Sequence, residues 1–107
     1  MNWYKKLFAG ESLGRSRSYY RFLIEHTKRP VGTYSILLPA ARDRLLEICR
    51  SEQTRDKHCC KDDQLIVGLA GTKAEAYELA GRIVLHVLNE TGGTDLKAFF
   101  AEQENRK

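Results

Sequence analysis

Gln64-Leu65-Ile66-Val67-Gly68-Leu69-Ala70-Gly71 is the stretch whose reading decides the fold. Six apolar or small residues run together between polar residues and a glycine. That pattern predicts a strand buried on both faces, central in a sheet and paired in parallel. A helix follows immediately, over 72–91. Ala76, Leu79, Ala80, Ile83, Val84 and Val87 recur at spacings of three and four and make a wide apolar stripe. Thr72 and Glu75 stand at capping-box spacing, and Gly92 offers a left-handed stop. Gly81 falls mid-helix, where it costs about 1 kcal/mol relative to Ala. Close packing of its backbone against the sheet is the expected compensation.

Upstream, Tyr20, Phe22 and Ile24 alternate with Arg21, Leu23 and Glu25, which predicts a strand over 19–27. Pro30 interrupts the pattern. A second strand is expected over 31–38, with Tyr34, Ile36 and Leu38 on one face, joined to the first as a hairpin. Pro39, Ala41, Leu45, Ile48 and Cys49 predict a short amphipathic helix over 39–52. Residues 54–63 read as a surface loop. The expected fold is therefore a two-layer α+β or α/β domain in ββαβα order. Its three-stranded mixed sheet is packed by two helices, and the crossover from second to third strand is right-handed if those strands are parallel.

One domain is expected over 1–107, with an N-terminal arm at 1–18, a core at 19–95 and a tail at 96–107. In the arm, Trp3, Tyr4, Leu7 and Phe8 suit one or two helical turns, and a Gly/Ser-rich loop follows. In the tail, Leu96, Phe99 and Phe100 are expected to dock.

The chain of 107 residues carries a net charge of +4. Residues 1–50 hold ten Lys/Arg against four Asp/Glu, and residues 51–107 hold eight against ten. The basic excess thus sits in the first half. No apolar run approaches the roughly 20 residues that span a bilayer, so no membrane association is expected. Three cysteines, two of them adjacent, make a poor disulfide framework. A reduced, cytoplasmic setting is the expectation.

Three groups of residues carry chemistry. Gly68-Leu69-Ala70-Gly71-Thr72-Lys73 joins a strand to a helix, the context of a phosphate loop. Gly71, Thr72 and Lys73 are thus candidates for a weak anion or small-ligand site. The two residues between the glycines are too few for a Walker loop, and capping already accounts for Thr72. His58-Cys59-Cys60, with Asp56, Asp62 and Asp63 nearby, has ligand-type side chains. Adjacent cysteines do not chelate one ion readily, however, so no metal and no cofactor is expected there. Lys57 and Lys61 would lower a thiolate pKa. Lys5, Lys6, Arg15, Arg17 and Arg21, with Lys28 and Arg29, interleave with Trp3, Tyr4, Tyr19, Tyr20 and Phe22. Cations beside aromatics suit single-stranded nucleic acid. His26 and His86 stand alone, Ser35 lacks a nucleophile elbow, and no carboxylate pair stands out.

At Glu11-Ser12-Leu13-Gly14-Arg15, at 31–38, at Ile66-Val67-Gly68-Leu69-Ala70-Gly71 and at Glu90-Thr91-Gly92-Gly93-Thr94-Asp95 the chain resembles a group of small uncharacterised bacterial proteins. The resemblance implies a bacterial cytosolic setting and transfers no activity or catalytic residues. The leading functional expectation is a non-enzymatic interaction or regulatory module. It would associate with itself or another protein through a sheet edge or an open sheet face bearing Tyr19, Arg21 and Leu23. Nucleic-acid binding by the basic half is the alternative, and a ligand site at the Gly68–Lys73 turn is the second.

Overall fold

The computed structural model describes residues 2–27, 31–39, 45–55 and 64–105. Strands β1 (Asn2–Ala9), β2 (Tyr34–Leu37), β3 (Glu47–Arg50) and β4 (Leu65–Ala70) form an open mixed sheet in the order β1-β4-β2-β3. Helices α1 (Arg17–His26), α2 (Lys73–Thr91) and α3 (Leu96–Asn105) pack around it. The class is mixed α+β, as the sequence suggests. The count of three strands and the ββαβα order are not what forms.

β4 is the central strand, and all six of its residues are buried. It runs parallel to β1, with Trp3 opposite Ile66, and antiparallel to β2, with Ser35 opposite Leu69. The parallel partner is therefore the N-terminal segment and not β2, so the crossover rule does not apply between β2 and β4. Residues within each strand divide between two clusters. Tyr4, Ile36, Leu65 and Val67 join Leu79, Ile83 and Val87 of α2 and Leu96, Phe99 and Phe100 of α3. Trp3, Leu7, Leu37, Ile66 and Leu69 join Leu13 and Ile24. A sheet whose strands send apolar side chains both ways needs cover on both faces. α2 and α3 cover one face and α1 the other, which makes three layers where two were expected.

Three local expectations change for one reason, namely that tertiary burial outweighs local pattern. The segment 19–27 is helical. Ile24 is fully buried, Tyr20 and Leu23 are half-buried, and Arg21 pairs with Glu25 across one turn at 3.0 Å. Alternation of Tyr20, Phe22 and Ile24 fits a strand equally well, but Phe22 ends up outside. Trp3, Tyr4, Leu7 and Phe8 form a strand because odd and even positions meet opposite clusters. Glu47–Arg50 is likewise a strand, with Ile48 against the α2 side and Cys49 against the α1 side. Of the helix expected over 39–52, residues 40–44 lie outside the described residues.

Two features shape the centre. Leu37 faces Ile66 while Ile36 faces Gly68, so Val67 is an extra residue in β4. Val67 and Gly68 both lie towards α2 as a result. A Cβ at Gly68 would come within 3.3 Å of Ile36 Cδ1 and Leu79 Cδ2. Beside β2, Thr33 Oγ1 donates to Ser51 Oγ at 2.7 Å, and Ser35 Oγ lies 2.9 Å from the same oxygen. Ser35 thus joins a buried hydroxyl chain and is not presented to solvent.

α2 ends where expected, with Gly92 at φ 76° donating its N–H to Leu88 O at 2.8 Å. α3 seats the tail aromatics: Phe100 is fully buried and meets Tyr4 edge-on at 4.8 Å. Phe100→Ala is expected to lower unfolding free energy by about 3–5 kcal/mol in urea titrations.

Candidate functional site

The strand-to-helix turn is built around Glu75. Thr72 Oγ1 accepts from Glu75 N at 3.1 Å, the expected N-cap bond. The Glu75 carboxylate does more than complete a capping box. Oε1 accepts from Gly71 N at 2.9 Å and from Ser12 Oγ at 2.6 Å, and Oε2 accepts from Ser12 N at 3.2 Å. It therefore ties the β4–α2 turn to the 3₁₀ turn Glu11–Leu13 that follows β1. Gly10 and Gly71 are the residues this close approach requires. A Cβ on Gly10 would collide with Glu75 Oε1, and one on Gly71 with Ser12 Oγ.

This geometry decides how the Gly71, Thr72 and Lys73 candidates stand. The Gly71 amide that an anion would need is already bonded to a carboxylate of the same chain. An incoming phosphate would have to displace Glu75 and approach against its charge. Lys73 is exposed at the helix start. A small cleft of about 40 Å³ lies beside the turn, lined by Gly10, Glu11, Glu75, Glu78, Leu79 and Arg82. Two of the six are apolar or small, three are carboxylates and one is a guanidinium, a poor lining for an anion.

The basic candidates are partly committed to the fold. Arg17 Nη1 donates to Leu7 O at 3.0 Å. The Arg21 guanidinium lies 5.1 Å from the Trp3 ring centroid while it pairs with Glu25. Lys5, Lys6 and Arg15 are exposed. The sheet face on which Tyr19, Arg21 and Leu23 were expected to lie open is covered by α1, which carries all three. Tyr19 and Phe22 remain 60% and 59% exposed on the outer side of α1. Phe22 lies against His26 with the rings tilted by 42° and their centroids 4.6 Å apart. His86 lies edge-on between Phe8 and Phe99, at 5.7 and 5.8 Å. His58, Cys59 and Cys60, with Asp56, Asp62 and Asp63, lie outside the described residues, as do Lys28 and Arg29. Among the described residues no three His, Cys, Asp or Glu side chains are grouped to hold a metal. No helix among them is long and apolar enough to cross a membrane.

The feature the sequence reading missed is the outward side of α2. Tyr77 is 61% exposed, Leu85 57% and Leu88 39%. Ala74 and Gly81 are exposed beside them, and Val84 is half-buried at the border. At 3.6 residues per turn these six share an arc of roughly 100° with no charge in it. Gly81 lies in the middle of that arc, and a Cβ there would meet nothing within 4 Å. It does not pack against the sheet, contrary to expectation; Ala80 and Ile83 do that. The spacing of Tyr77, Gly81, Leu85 and Leu88 is readable in the sequence as a second stripe. It is hidden beside the stronger first one. Apolar and small residues cover roughly two-thirds of the circumference of α2, with Glu75, Glu78, Arg82 and Asn89 in the remaining sector, and among the described residues only its inner side is buried.

Comparison of the chain with protein-family models, with curated proteins and with solved structures finds no match.

The three donors also fix a pH dependence. The Gly71 N–H, then the Ser12 hydroxyl, with smaller help from the Ser12 N–H and Arg82, hold the Glu75 carboxyl below its ordinary range. A depressed folded pKa contributes stability that is fully present above the ordinary glutamate value of about 4.5. That stability is lost as pH falls below it, through the folded pKa. Glu75→Gln is expected to be less stable than the parent at pH 7. The gap should narrow as pH is lowered from 7 to below 4.5, as the parent's carboxyl becomes protonated. Urea midpoints across that range check this, and a constant gap would contradict it.

Proposed function

We propose that this chain is a non-enzymatic interaction module whose docking surface is the outward arc of α2. The observation that carries this reading is the set Tyr77, Leu85 and Leu88, exposed in one uncharged stripe along a rigid helix. Monomeric proteins scatter exposed apolar side chains singly, and contiguous stripes mark binding surfaces. Tyr77 suits such a surface, since an aromatic ring gives large contact area at low entropy cost. The scaffold suits it too. The inner side of α2 is held by the sheet and its N-terminus by Glu75. The outer side can therefore be offered without local ordering on binding.

The pair Tyr19 and Phe22 on α1 is a weaker candidate. It is two side chains bounded by Arg15, Arg21 and Glu25, with no apolar continuation along the helix.

The native mass of the chain in an unpurified extract tests the reading. The tagged chain is expected to elute well above its own 12.3 kDa. Leu85→Glu, on an exposed position, is expected to shift it down to that mass. Elution of both at the single-chain mass, with no rise in mass when the purified chain is concentrated, overturns the proposal.

A further inference from the structure

We infer that the occupant of this arc is α2 of a second copy of the chain, packed antiparallel about a two-fold axis at Gly81. This rests on the interaction reading above and names its partner.

The first argument is the size sequence along the stripe. Tyr77 lies four residues before Gly81 and Leu85 four after; Ala74 lies seven before and Leu88 seven after. A two-fold axis at Gly81 therefore sets Tyr77 against Leu85 and Ala74 against Leu88, and Gly81 crosses Gly81. Each side chain meets one it can pack beside, and the two small residues fall where the backbones approach. An isologous interface requires this self-complementarity. A parallel pairing would set Tyr77 against Tyr77 and Leu85 against Leu85, and would leave Ala74 facing Ala74.

The second argument is Gly81 itself. Gly is unfavourable inside a helix, and nothing among the described residues needs one here, because a Cβ would meet none of them within 4 Å. Close approach of a second helix at that point gives the missing reason.

The third is charge. Glu78 and Arg82 border the stripe on one side and pair with each other at 2.7 Å. In an antiparallel two-fold pair, like borders meet. With the axis at Gly81, Glu78 of one copy stands two residues along from Arg82 of the other, and the two Arg82 side chains are offset equally. The border is neutralised within each chain by the Glu78–Arg82 pair, so it carries no net charge against a second copy.

One helix face is small beside the roughly 800 Å² per partner of a standard interface. The dimer is therefore expected to be weak, dissociating in the micromolar range.

Sedimentation velocity on the purified full chain, from about 1 to about 300 µM, tests the inference. The parent chain is expected to move from single-chain to dimer mass across that range. Leu85→Glu and Gly81→Leu are both expected to stay single at the top of it, with unchanged far-UV circular dichroism. Register is read by disulfide formation in a background with Cys49, Cys59 and Cys60 replaced by Ser. Tyr77→Cys mixed with Leu85→Cys should yield the mixed disulfide, and Tyr77→Cys alone should yield little. A parent chain that stays single throughout overturns the second-copy inference. If its extract mass is still high and sensitive to Leu85→Glu, the interaction reading stands with a different partner; if not, both fall. A dimer indifferent to both arc substitutions, or Tyr77→Cys cross-linking readily to itself, also overturns the inference.

Discussion

Burial of β4 is the constraint on which the rest of the structure depends. A strand with six buried residues must be hydrogen-bonded on both edges and covered on both faces. Its edges take β1 and β2, one parallel and one antiparallel. Its faces take α1 on one side and α2 with α3 on the other. The N-terminal residues are thereby recruited as a strand, and the segment after them as a helix, because no other part of the described chain meets those needs. Val67 and Gly68, both turned towards α2 by the bulge, let that helix come close.

Glu75 gives the arrangement its rigidity at the point where β4 passes into α2. One carboxylate takes three hydrogen bonds from two connections far apart in sequence. Such charge-assisted bonds are stronger than neutral ones. The same contact occupies the Gly71 amide that an anion at the helix start would use. The strand-glycine-helix motif that invites a phosphate-loop reading thus serves as a clamp. The proposed docking role draws on the same geometry: α2 is fixed along its inner side and exposed along its outer side.

What the sequence makes legible follows from how strongly each pattern is constrained. β4, β2 and α2 can be read, because a long apolar run, a β-rich octet and a nineteen-residue periodic helix with caps at both ends leave little choice. Docking of Phe99 and Phe100 is legible for the same reason. β1, α1 and β3 are not. Tyr20, Phe22 and Ile24 fit a period of two, while Tyr20, Leu23 and Ile24 fit 3.6 equally well, and only the uncovered sheet face decides between them. Leu45, Ile48 and Cys49 pose the opposite ambiguity. At the site, the Thr72–Glu75 cap is local and readable, but its reach to Ser12 spans 63 residues and is not. Gly81 falls off the Ala76–Val87 stripe at helical spacing, so its outward side is legible, and the expectation that it packs on the sheet runs against that spacing.

The central claim is that the two sides of α2 do separate work, the inner side folding the chain and the outer side binding. Urea unfolding of Leu85→Glu, at a concentration low enough for single chains, tests it most directly. The account predicts a free energy within about 0.5 kcal/mol of the parent, as for an ordinary surface substitution. A loss of about 2 kcal/mol or more, the size expected for a buried side chain, would contradict it.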